Sequence, residues 1–329
     1  MKSTDNNLNA HEALNQALEK KDFSNKYQEK WESRSSIRTR PRKKIDFKFE
    51  GFSFPVEKQP LLLNQEILNL GLEIKKTILL HSFYKYLNDI IHLEIKLINS
   101  VCYKLMYKDL KVKYSEEIKL NSHTIIIDEF YHVYIAKDML LQLKQHFCKI
   151  KDLNYPISDS YHAIIVIKNK LAEEYHDLFE IIAVCIFETT LVRELVEFFN
   201  SKNVHPSIKY YVNDHMNDEA RHYGFFYDLL TYTWERLPED YKENIGKHLG
   251  EFIKLYLNIN SDKAFNLDLL ISILNQREKS IIIIENLYKG FEITPDVPIV
   301  KNVLGVFEKS GILKNNYVKE GFRTIGWNF

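Results

Sequence analysis

Two histidines and a glutamate lie close together in the segment YVNDHMNDEARHYGFF, residues 211–226. They are His215, Glu219 and His222. In a helix, their offsets of four and seven residues, at about 100° per residue, place all three within an arc of roughly 60°. Imidazole nitrogens and carboxylate oxygens are common ligands of divalent transition metals. The segment therefore predicts a helix face that can bind a metal ion.

One helix supplies too few ligands for a metal ion, and candidate partners lie earlier in the chain. A second Glu-x-x-His pair occurs in DEFYH, and single glutamates lie in the apolar stretches DIIHLEIKLI and IIAVCIFETTLV. Two such pairs plus one glutamate from each of two further helices are the ligand set of ferritin-like di-iron and di-manganese bundles. The predicted ligands are Glu94, Glu129, His132, Glu188, Glu219 and His222, with His215 as an additional histidine.

The charges of this set agree with two metal ions. Four buried carboxylates carry four negative charges, and two divalent cations with neutral imidazoles return four positive charges. Without metal the carboxylates would repel one another strongly. Oxidation of two iron ions would add two further positive charges, so such a site suits the binding of reduced oxygen.

An aspartate precedes each Glu-x-x-His pair. An aspartate beside a ligand glutamate points toward the neighbouring helix, where it can accept the free ring N–H of the opposite histidine. We therefore expect Asp128 to orient His222. In the same way, Asp218 would orient His132, and Arg221 could bridge the two aspartates. The alternative is that these three are solvent-exposed helix charges.

A Glu-x-x-His match is weak on its own, because ordinary solvent-facing pairs also show it. Glu173 and His176 lie in a polar segment and are interpreted as such a pair. Glu188 follows the uncharged run IIAVCIF, which favours it as the buried carboxylate of its region. The competing glutamates are Glu180, Glu194 and Glu197. For His215, the alternative to metal ligation is a core histidine hydrogen-bonded to a neighbour.

Composition favours an all-α protein. Only 10 of the 329 residues are Gly and 8 are Pro, and long stretches show helical periodicity.

The 45 basic and 45 acidic residues balance, which predicts neither a nucleic-acid nor an anionic membrane partner. Three scattered cysteines are too few for a disulfide framework or a thiolate metal site. No signal-peptide core or membrane-spanning apolar run is found, so we expect a cytoplasmic protein.

The chain is expected to divide into an arm and a main domain. Residues 1–45 are polar and end in the basic run RSSIRTRPRKK. They are expected to form a partly packed arm, which Trp31 could attach to the bundle, with nucleic-acid or partner binding as the alternative. Residues 46–329 are expected to form one ferritin-like domain, with the di-metal site in a four-helix core and additional flanking helices.

The ligand helices are predicted from the same periodicity and from turn residues. They are expected from Pro60 to residue 107 with a possible break at Gly71, at about 123–150 after a polar connector at 111–122, at about 168–200, and from Pro206 to Arg236. Further helices are expected at 238–258, 264–288 and 297–313.

The ligand series resembles that of the p-aminobenzoate N-oxygenase family, which consists of non-haem di-iron arylamine oxygenases. The resemblance rests on the series itself, on gaps of 35 residues from Glu94 to Glu129 and 27 from Glu188 to His215, and on the additional histidine. Other ferritin-like di-iron proteins typically have two histidines. The segment WESRSSIR, residues 31–38, also resembles the family's N-terminal W-x-x-R segment. The resemblance covers roughly residues 25–315.

The resemblance implies two iron ions, with manganese as the alternative, and O₂ as co-substrate. In the implied site the bridging carboxylates are Glu129 and Glu219, the more terminal carboxylates are Glu94 and Glu188, and the nitrogen ligands are His132, His215 and His222. Family enzymes bind O₂ as a peroxo-diferric species and oxidise an aryl amine through hydroxylamine and nitroso stages to a nitro group. Tyr86 could line the substrate pocket, or it could be a core tyrosine.

The implied partners are a small-molecule substrate, an external reductase and a second copy of the chain in a homodimer. Two alternatives to an amine oxygenase stay open. One is a metal-handling or radical-generating bundle, for which Tyr131 and Tyr223 lie beside ligands. The other is a structural helical protein without metal. The sequence identifies no pair of basic residues for an aryl carboxylate, and C–H oxidation is also compatible, so the substrate stays open.

Overall fold

The protein is all-helical in the part that the structure describes. The structure is a computed structural model, and it describes residues 26–190 and 201–328. Within these residues the only extended pairing is a single parallel bridge between Phe52 and Val204. The helices of nine residues or more are α1 (Lys26–Arg34), α2 (Leu72–Leu93), α3 (Asn99–Tyr107), α4 (Glu116–His146), α5 (Asp159–Lys168), α6 (His176–Glu188), α7 (Pro206–Arg236), α8 (Glu239–Tyr256), α9 (Asn260–Leu274), α10 (Arg277–Leu287), α11 (Pro298–Lys309) and α12 (Asn316–Thr324). The predicted all-α fold is confirmed.

Local signals explain where the long helices begin. Gly71 precedes α2 with a φ of +92°, a conformation that glycine adopts without strain. Ser115 caps α4, since its side chain accepts a hydrogen bond from the backbone N–H of Ile118. Pro206 is the first residue of α7, where the absent N–H leaves no intrahelical bond unmade. The predicted break at Gly71 and the predicted bounds of α7 are confirmed.

Two predicted boundaries before α7 are wrong. The connector predicted at 111–122 is shorter, because the Ser115 cap starts α4 at Glu116. The helix predicted at 168–200 is interrupted, because α5 ends at its first residue and α6 starts only at His176. Residues 191–200 lie outside the described part of the chain.

The C-terminal region also differs from the prediction. The helix predicted at 264–288 is two helices, because Asn275 takes a left-handed conformation with a φ of +53° between α9 and α10. α12 has no counterpart among the predicted helices. The helices predicted at 238–258 and 297–313 are present as α8 and α11.

Helices α2, α4, α6 and α7 form a bundle around a polar layer. Two clusters of buried hydrophobic side chains lie on either side of this layer. On α4, Glu129 and His132 lie between Ile125 of one cluster and Ile135 of the other. Apolar packing on both sides therefore fixes the helices that enclose the polar layer, as in a ferritin-like bundle.

A π-helical segment, Glu94–Ile98, joins α2 to α3. Its backbone bonds span five residues, as in the bond from the N–H of Asn99 to the carbonyl oxygen of Glu94. A single π turn shifts the angular position of the residues that follow it, and such turns are frequent at functional sites. The first residue of this segment is one of the predicted metal ligands.

The helix α1 packs against α4 and α7. The Tyr27 hydroxyl donates a hydrogen bond to the carbonyl oxygen of Gly224 at 2.7 Å. Further along, Arg42 forms an ion pair with Asp138 at 2.6 Å. Residues 1–25 lie outside the described part of the chain, so the division into an arm and a domain at residue 45 stays a prediction.

Candidate metal centre

Seven buried side chains converge in the polar layer. They form two groups, and within each group one donor atom per residue lies within 4.8 Å of the others. The first group is Glu94, His132, His215 and Glu219, and the second is Glu129, Glu188, Glu219 and His222. The groups share Glu219. The fold therefore brings together the seven residues that the sequence singled out as ligands.

Helical spacing explains how four helices supply these side chains. α4 and α7 each present a Glu-x-x-His pair, because an offset of three residues returns to the same helix face. His215 extends the α7 face by one turn. Glu94 lies at the start of the π segment, and Glu188 is the last residue of α6. Each of the four chain segments thus contributes at least one carboxylate.

Two carboxylates lie between the groups. Glu129 Oε1 lies 2.9 Å from His222 Nδ1, and its Oε2 lies 3.4 Å from His132 Nδ1. Glu219 Oε1 lies 2.9 Å from His215 Nε2, and its Oε2 lies 3.3 Å from His222 Nδ1. Each carboxylate therefore directs one oxygen to a histidine of each group, an arrangement that a bridging carboxylate requires.

Two of the histidines contact an aspartate through the ring nitrogen that faces away from the carboxylates. His132 Nε2 lies 3.1 Å from Asp218 Oδ2, and His222 Nε2 lies 3.5 Å from Asp128 Oδ2. The hydrogen bond from His132 Nε2–H to Asp218 selects the tautomer in which His132 Nδ1 carries the lone pair, whereas His222 Nε2 faces Asp128 at ion-pair distance without a hydrogen bond. Arg221 Nη2 donates to Asp128 Oδ2 at 2.9 Å and also donates to Asp218 Oδ1.

The N-terminal segment completes the surroundings of both aspartates. Trp31 Nε1 and Ser35 Oγ each donate a hydrogen bond to Asp128 Oδ1 at 2.8 Å. The backbone N–H of Ser36 donates to Asp218 Oδ1 at 3.1 Å. Sequence reasoning noted Trp31 as a packing residue and missed both serines. The signals were a large aromatic residue in a polar segment and the resemblance of residues 31–38 to the family's W-x-x-R segment.

Burial and mutual repulsion act on the carboxylates of the cluster. Burial, followed by the negative charge of Glu129, raises the pKa of Glu94 to about 8. Burial, followed by the charge of Glu219, raises the pKa of Glu188 well above its usual range. Without a cation, the cluster therefore does not hold all of its carboxylates in the ionised form at neutral pH.

The surroundings favour the charged form of the histidines, whereas they favour the neutral form of Glu94 and Glu188. Burial and the neighbouring His132 disfavour protonation of His215, yet its hydrogen bonds to Glu219 and Glu94 raise its pKa to about 9. Burial also disfavours protonation of His222, yet the charges of Glu219 and Glu129 raise its pKa well above the usual value. The carboxylates thus attract positive charge, which protons supply in the absence of metal and which metal ions would supply on binding.

The residues present fit a pair of metal ions. Glu94 Oε2 and Glu188 Oε2 are buried and accept no hydrogen bond from the described residues. A buried carboxylate oxygen without a donor is unfavourable, and a bound cation would remove that cost. Carboxylate oxygens together with imidazole nitrogens form a donor set suited to iron or manganese.

A cavity of about 350 Å³ opens on one side of the cluster. At its inner end lie Glu94, Glu188, His215 and Glu219. Its apolar and aromatic walls are formed by Tyr86, Ile90, Leu93, Ile98, Phe187 and Tyr256. Tyr86 therefore lines the cavity, while its ring also stacks on Phe83 at 5.9 Å. Burial raises the pKa of the Tyr86 hydroxyl, so this group is neutral at physiological pH.

The other Glu-x-x-His pair lies outside the cluster. Glu173 is exposed, and His176 Nε2 lies 3.0 Å from the carbonyl oxygen of Leu171. Neither residue belongs to the two groups that could hold a metal ion. The competing glutamates Glu194 and Glu197 lie outside the described residues.

Glu180 is buried, which the local apolarity of the sequence did not indicate. It lies 2.8 Å from Lys104 Nζ and 2.7 Å from Lys168 Nζ. These lysines come from other helices and hold the pKa of this carboxyl below its usual range against the effect of burial. Glu180 is thus a buried carboxylate with protein cations as partners, whereas Glu188 has none among the described residues.

The all-helical bundle and the shared Glu/His cluster define a ferritin-like protein with a candidate di-metal site. A family model described as P-aminobenzoate N-oxygenase AurF matches residues 17–265, which is more than half of the chain. The protein belongs to this family, whose members are non-haem di-iron enzymes that oxygenate arylamines. No curated protein matches the chain. None of the helices in the described residues is long and apolar enough to cross a membrane.

Proposed function

We propose that this protein is a di-iron oxygenase that oxidises the nitrogen of a small arylamine, using O₂ and electrons from a separate reductase. The observation that carries the proposal is a pair of Glu/His groups that share Glu219, four of whose members line a cavity that opens on one side of the cluster. Family membership supports iron as the metal, although the same donors would also accept manganese.

The two groups would hold one metal ion each. Glu94, His132 and His215 would bind the first ion, and Glu188 and His222 would bind the second. Glu129 and Glu219, which direct oxygens to both groups, would bridge them. When bound, a pair of iron ions would supply the electrons and coordination positions that O₂ activation requires.

The protein itself would contribute orientation and a dry environment. Asp218, as acceptor of the His132 Nε2 proton, would keep the Nδ1 lone pair of His132 directed at the metals, and the negative charge of Asp128 near Nε2 would favour the same orientation of His222. Apolar walls such as Phe187 would exclude water from the face where substrate and O₂ meet, which limits loss of the oxidant to side reactions.

The first oxidation would insert one atom of O₂ into an N–H bond of the amine. The other oxygen atom would leave as water, with two electrons from the reductase and two protons from solvent. The product is a hydroxylamine. A second oxygenation, at the remaining N–H bond, would give an N,N-dihydroxy compound that loses water to form the nitroso compound, and a third would add oxygen to the nitrogen lone pair and give the nitro compound. Each would consume one O₂, two electrons and two protons and release the other oxygen atom as water. The neutral Tyr86 hydroxyl could donate a hydrogen bond to the growing polar group.

The test is incorporation of labelled oxygen. Iron-loaded protein, chemically reduced and exposed to ¹⁸O₂ with a panel of arylamines, should give N-oxygenated products that carry the label, as measured by mass spectrometry. The matched variants are Glu219→Ala, which should give no product, and Glu173→Ala, which removes an exposed glutamate of the unrelated pair and should behave as wild type.

Consumption of O₂ without label in any amine would contradict the proposal. An ¹⁸O-labelled hydroxyl group on a carbon atom of the substrate, instead of on its nitrogen, would assign the site to C–H oxidation. A stable tyrosyl radical in electron paramagnetic resonance, with Tyr131 or Tyr223 as its source, would assign it to the radical-generating class.

A further inference from the structure

The outer half of the cavity is acidic. Beyond the metal cluster, the charged residues that line it within the described chain are Lys85, Asp89, Asp159 and Asp262. One cation thus faces three anions. They come from α2, the start of α5 and the start of α9, so three separate elements place charge at the same mouth.

The single cation is already neutralised. Lys85 Nζ lies 2.7 Å from Asp89 Oδ2 and 3.1 Å from Asp262 Oδ1, and the lysine side chain is buried. Asp159 Oδ2 accepts a hydrogen bond from the backbone N–H of Ser261 at 2.7 Å. A substrate carboxylate would have to displace an aspartate from Lys85 and would then lie among like charges, at a cost in both repulsion and desolvation.

The inner half of the cavity is suited to an aromatic ring. Tyr86, Phe187 and Tyr256 contribute aromatic surface, and the volume of about 350 Å³ is in the range of small-molecule sites. At the inner end, Glu188 is only 3% exposed, and its Oε2 has no hydrogen-bond partner among the described residues. A ligand can therefore lie with its reacting group at the metal cluster and its far end at the aspartates.

We infer that the substrate of this cavity is an arylamine whose end opposite the amine carries a cation or a hydrogen-bond donor, and that an aryl carboxylate such as p-aminobenzoate is disfavoured. This inference rests on the proposed function for the position of the amine. The selection itself arises from the excess of aspartates over available cations at the cavity mouth, because opposite charges attract there and like charges do not.

Three probes with the same ring and amine test the inference. They are p-aminobenzamidine, p-aminobenzamide and p-aminobenzoate, whose far ends are cationic, neutral and anionic. Binding to oxidised, iron-loaded protein is measured by titration calorimetry at pH 8 without reductant, so no turnover takes place. The amidine should bind at least about tenfold more tightly than the carboxylate, with the amide between them. Equal or tighter binding of p-aminobenzoate would overturn the inference.

Aspartate variants connect the preference to the cavity mouth. Asp89→Asn and Asp262→Asn should each weaken amidine binding several-fold and strengthen carboxylate binding, because each removes an anion and releases a partner of Lys85. Asp268→Asn is the matched control, since Asp268 lies on α9 with Asp262 but is exposed and outside the cavity. If the first two variants bind the amidine as Asp268→Asn does, the aspartates do not select the ligand and the inference is wrong.

The experiments distinguish failure of the inference about substrate charge from failure of the proposed N-oxygenase function. Tight amidine binding without ¹⁸O in the bound amine would contradict the N-oxygenase proposal and leave the assignment of the cavity mouth intact. Labelled product from p-aminobenzoate together with its tighter binding would support the oxygenase and overturn the inference about substrate charge.

Discussion

The two sides of the candidate metal centre differ in how many of their carboxylate oxygens have hydrogen-bond partners. On the side of the N-terminal segment, all four oxygens of Asp128 and Asp218 have partners among Trp31, Ser35, Ser36, Arg221 and the two histidines. On the cavity side, Glu94 and Glu188 each have a buried oxygen that accepts no hydrogen bond from the described residues.

This difference separates two tasks. A fully hydrogen-bonded network is rigid and costly to disturb, so it suits the part that must hold the histidines in place. Unpartnered oxygens beside a cavity can change their contacts when metal, O₂ or substrate arrives. We call the side with Asp128 and Asp218 the closed side, and the cavity side with Glu94 and Glu188 the open side. The closed side would therefore control metal affinity, and the open side would control ligand binding.

Of the variants on the two sides, removal of the Asp218 side chain should have the largest effect, and the affected quantity is the iron affinity. Asp218→Ala takes away the acceptor for His132 Nε2 and a partner of Arg221, so iron affinity should fall about 10- to 100-fold. Competition with a chelator of known affinity measures this. Asp138→Ala, which breaks the Arg42 ion pair at the surface, is the control and should bind iron as wild type does. Wild-type affinity in Asp218→Ala would show that the closed side does not control the metal.

Filling the cavity should affect the open side alone. Ile90→Phe adds volume to a cavity wall and should weaken p-aminobenzamidine binding about tenfold, while iron content stays unchanged. Calorimetry and metal analysis on the same sample check both. Ile282→Phe, on an exposed residue, is the control. Loss of iron together with probe binding in Ile90→Phe would mean that the two sides are not independent.

Acidification should weaken amidine binding. Burial raises the pKa of Asp89 to about 6, against the effect of Lys85, and Asp262 and Asp159 also face it. Because Asp89 is an acid, its negative charge is present above about pH 6 and lost below it. The affinity for p-aminobenzamidine should therefore fall several-fold between pH 8 and pH 5, whereas that for neutral p-aminobenzamide should change less. Parallel titration of both probes, with iron content checked at each pH, would detect the difference. Identical profiles would contradict a role for Asp89.

Loss of one donor on the closed side should have the smallest effect. Trp31→Phe removes the hydrogen bond to Asp128 Oδ1, but Ser35 still donates to that oxygen. We expect a loss of about 0.5–1 kcal/mol in the free energy of unfolding and little change in iron content. Urea unfolding followed by circular dichroism measures the loss, with Ser33→Ala, on an exposed serine, as the control. Unchanged stability would show that the Trp31 hydrogen bond does not stabilise the bundle.

The helical spacing of the ligands explains why so much of the cluster could be predicted. Glu129/His132 and Glu219/His222 share a helix face by geometry alone, so a local pattern was sufficient to bring each pair together. The ligand helices were predicted from periodicity, with errors mainly where a cap such as Ser115 decided the boundary.

What the sequence could not indicate depends on contacts between distant residues. The Trp31 to Asp128 hydrogen bond spans 97 residues. The lysine partners of Glu180, and Asp262 as one partner of Lys85, come from other helices. The π turn at Glu94 was likewise not among the predicted features. Glu180 shows the consequence: local apolarity selected Glu188 for the cluster, but it did not indicate that Glu180 is buried as well, because the lysines that pair with Glu180 lie on other helices.

The most direct test of the central claim is the metal content of the protein grown with iron and manganese both available. Wild type and Glu173→Ala should contain about two metal ions per chain, one for each Glu/His group, by elemental mass spectrometry. Glu129→Ala and Glu219→Ala, which remove the carboxylates between the groups, should retain less than about half of that amount while keeping wild-type helical content by circular dichroism. Unchanged metal in these two variants, or no metal in wild type, would contradict the di-metal assignment.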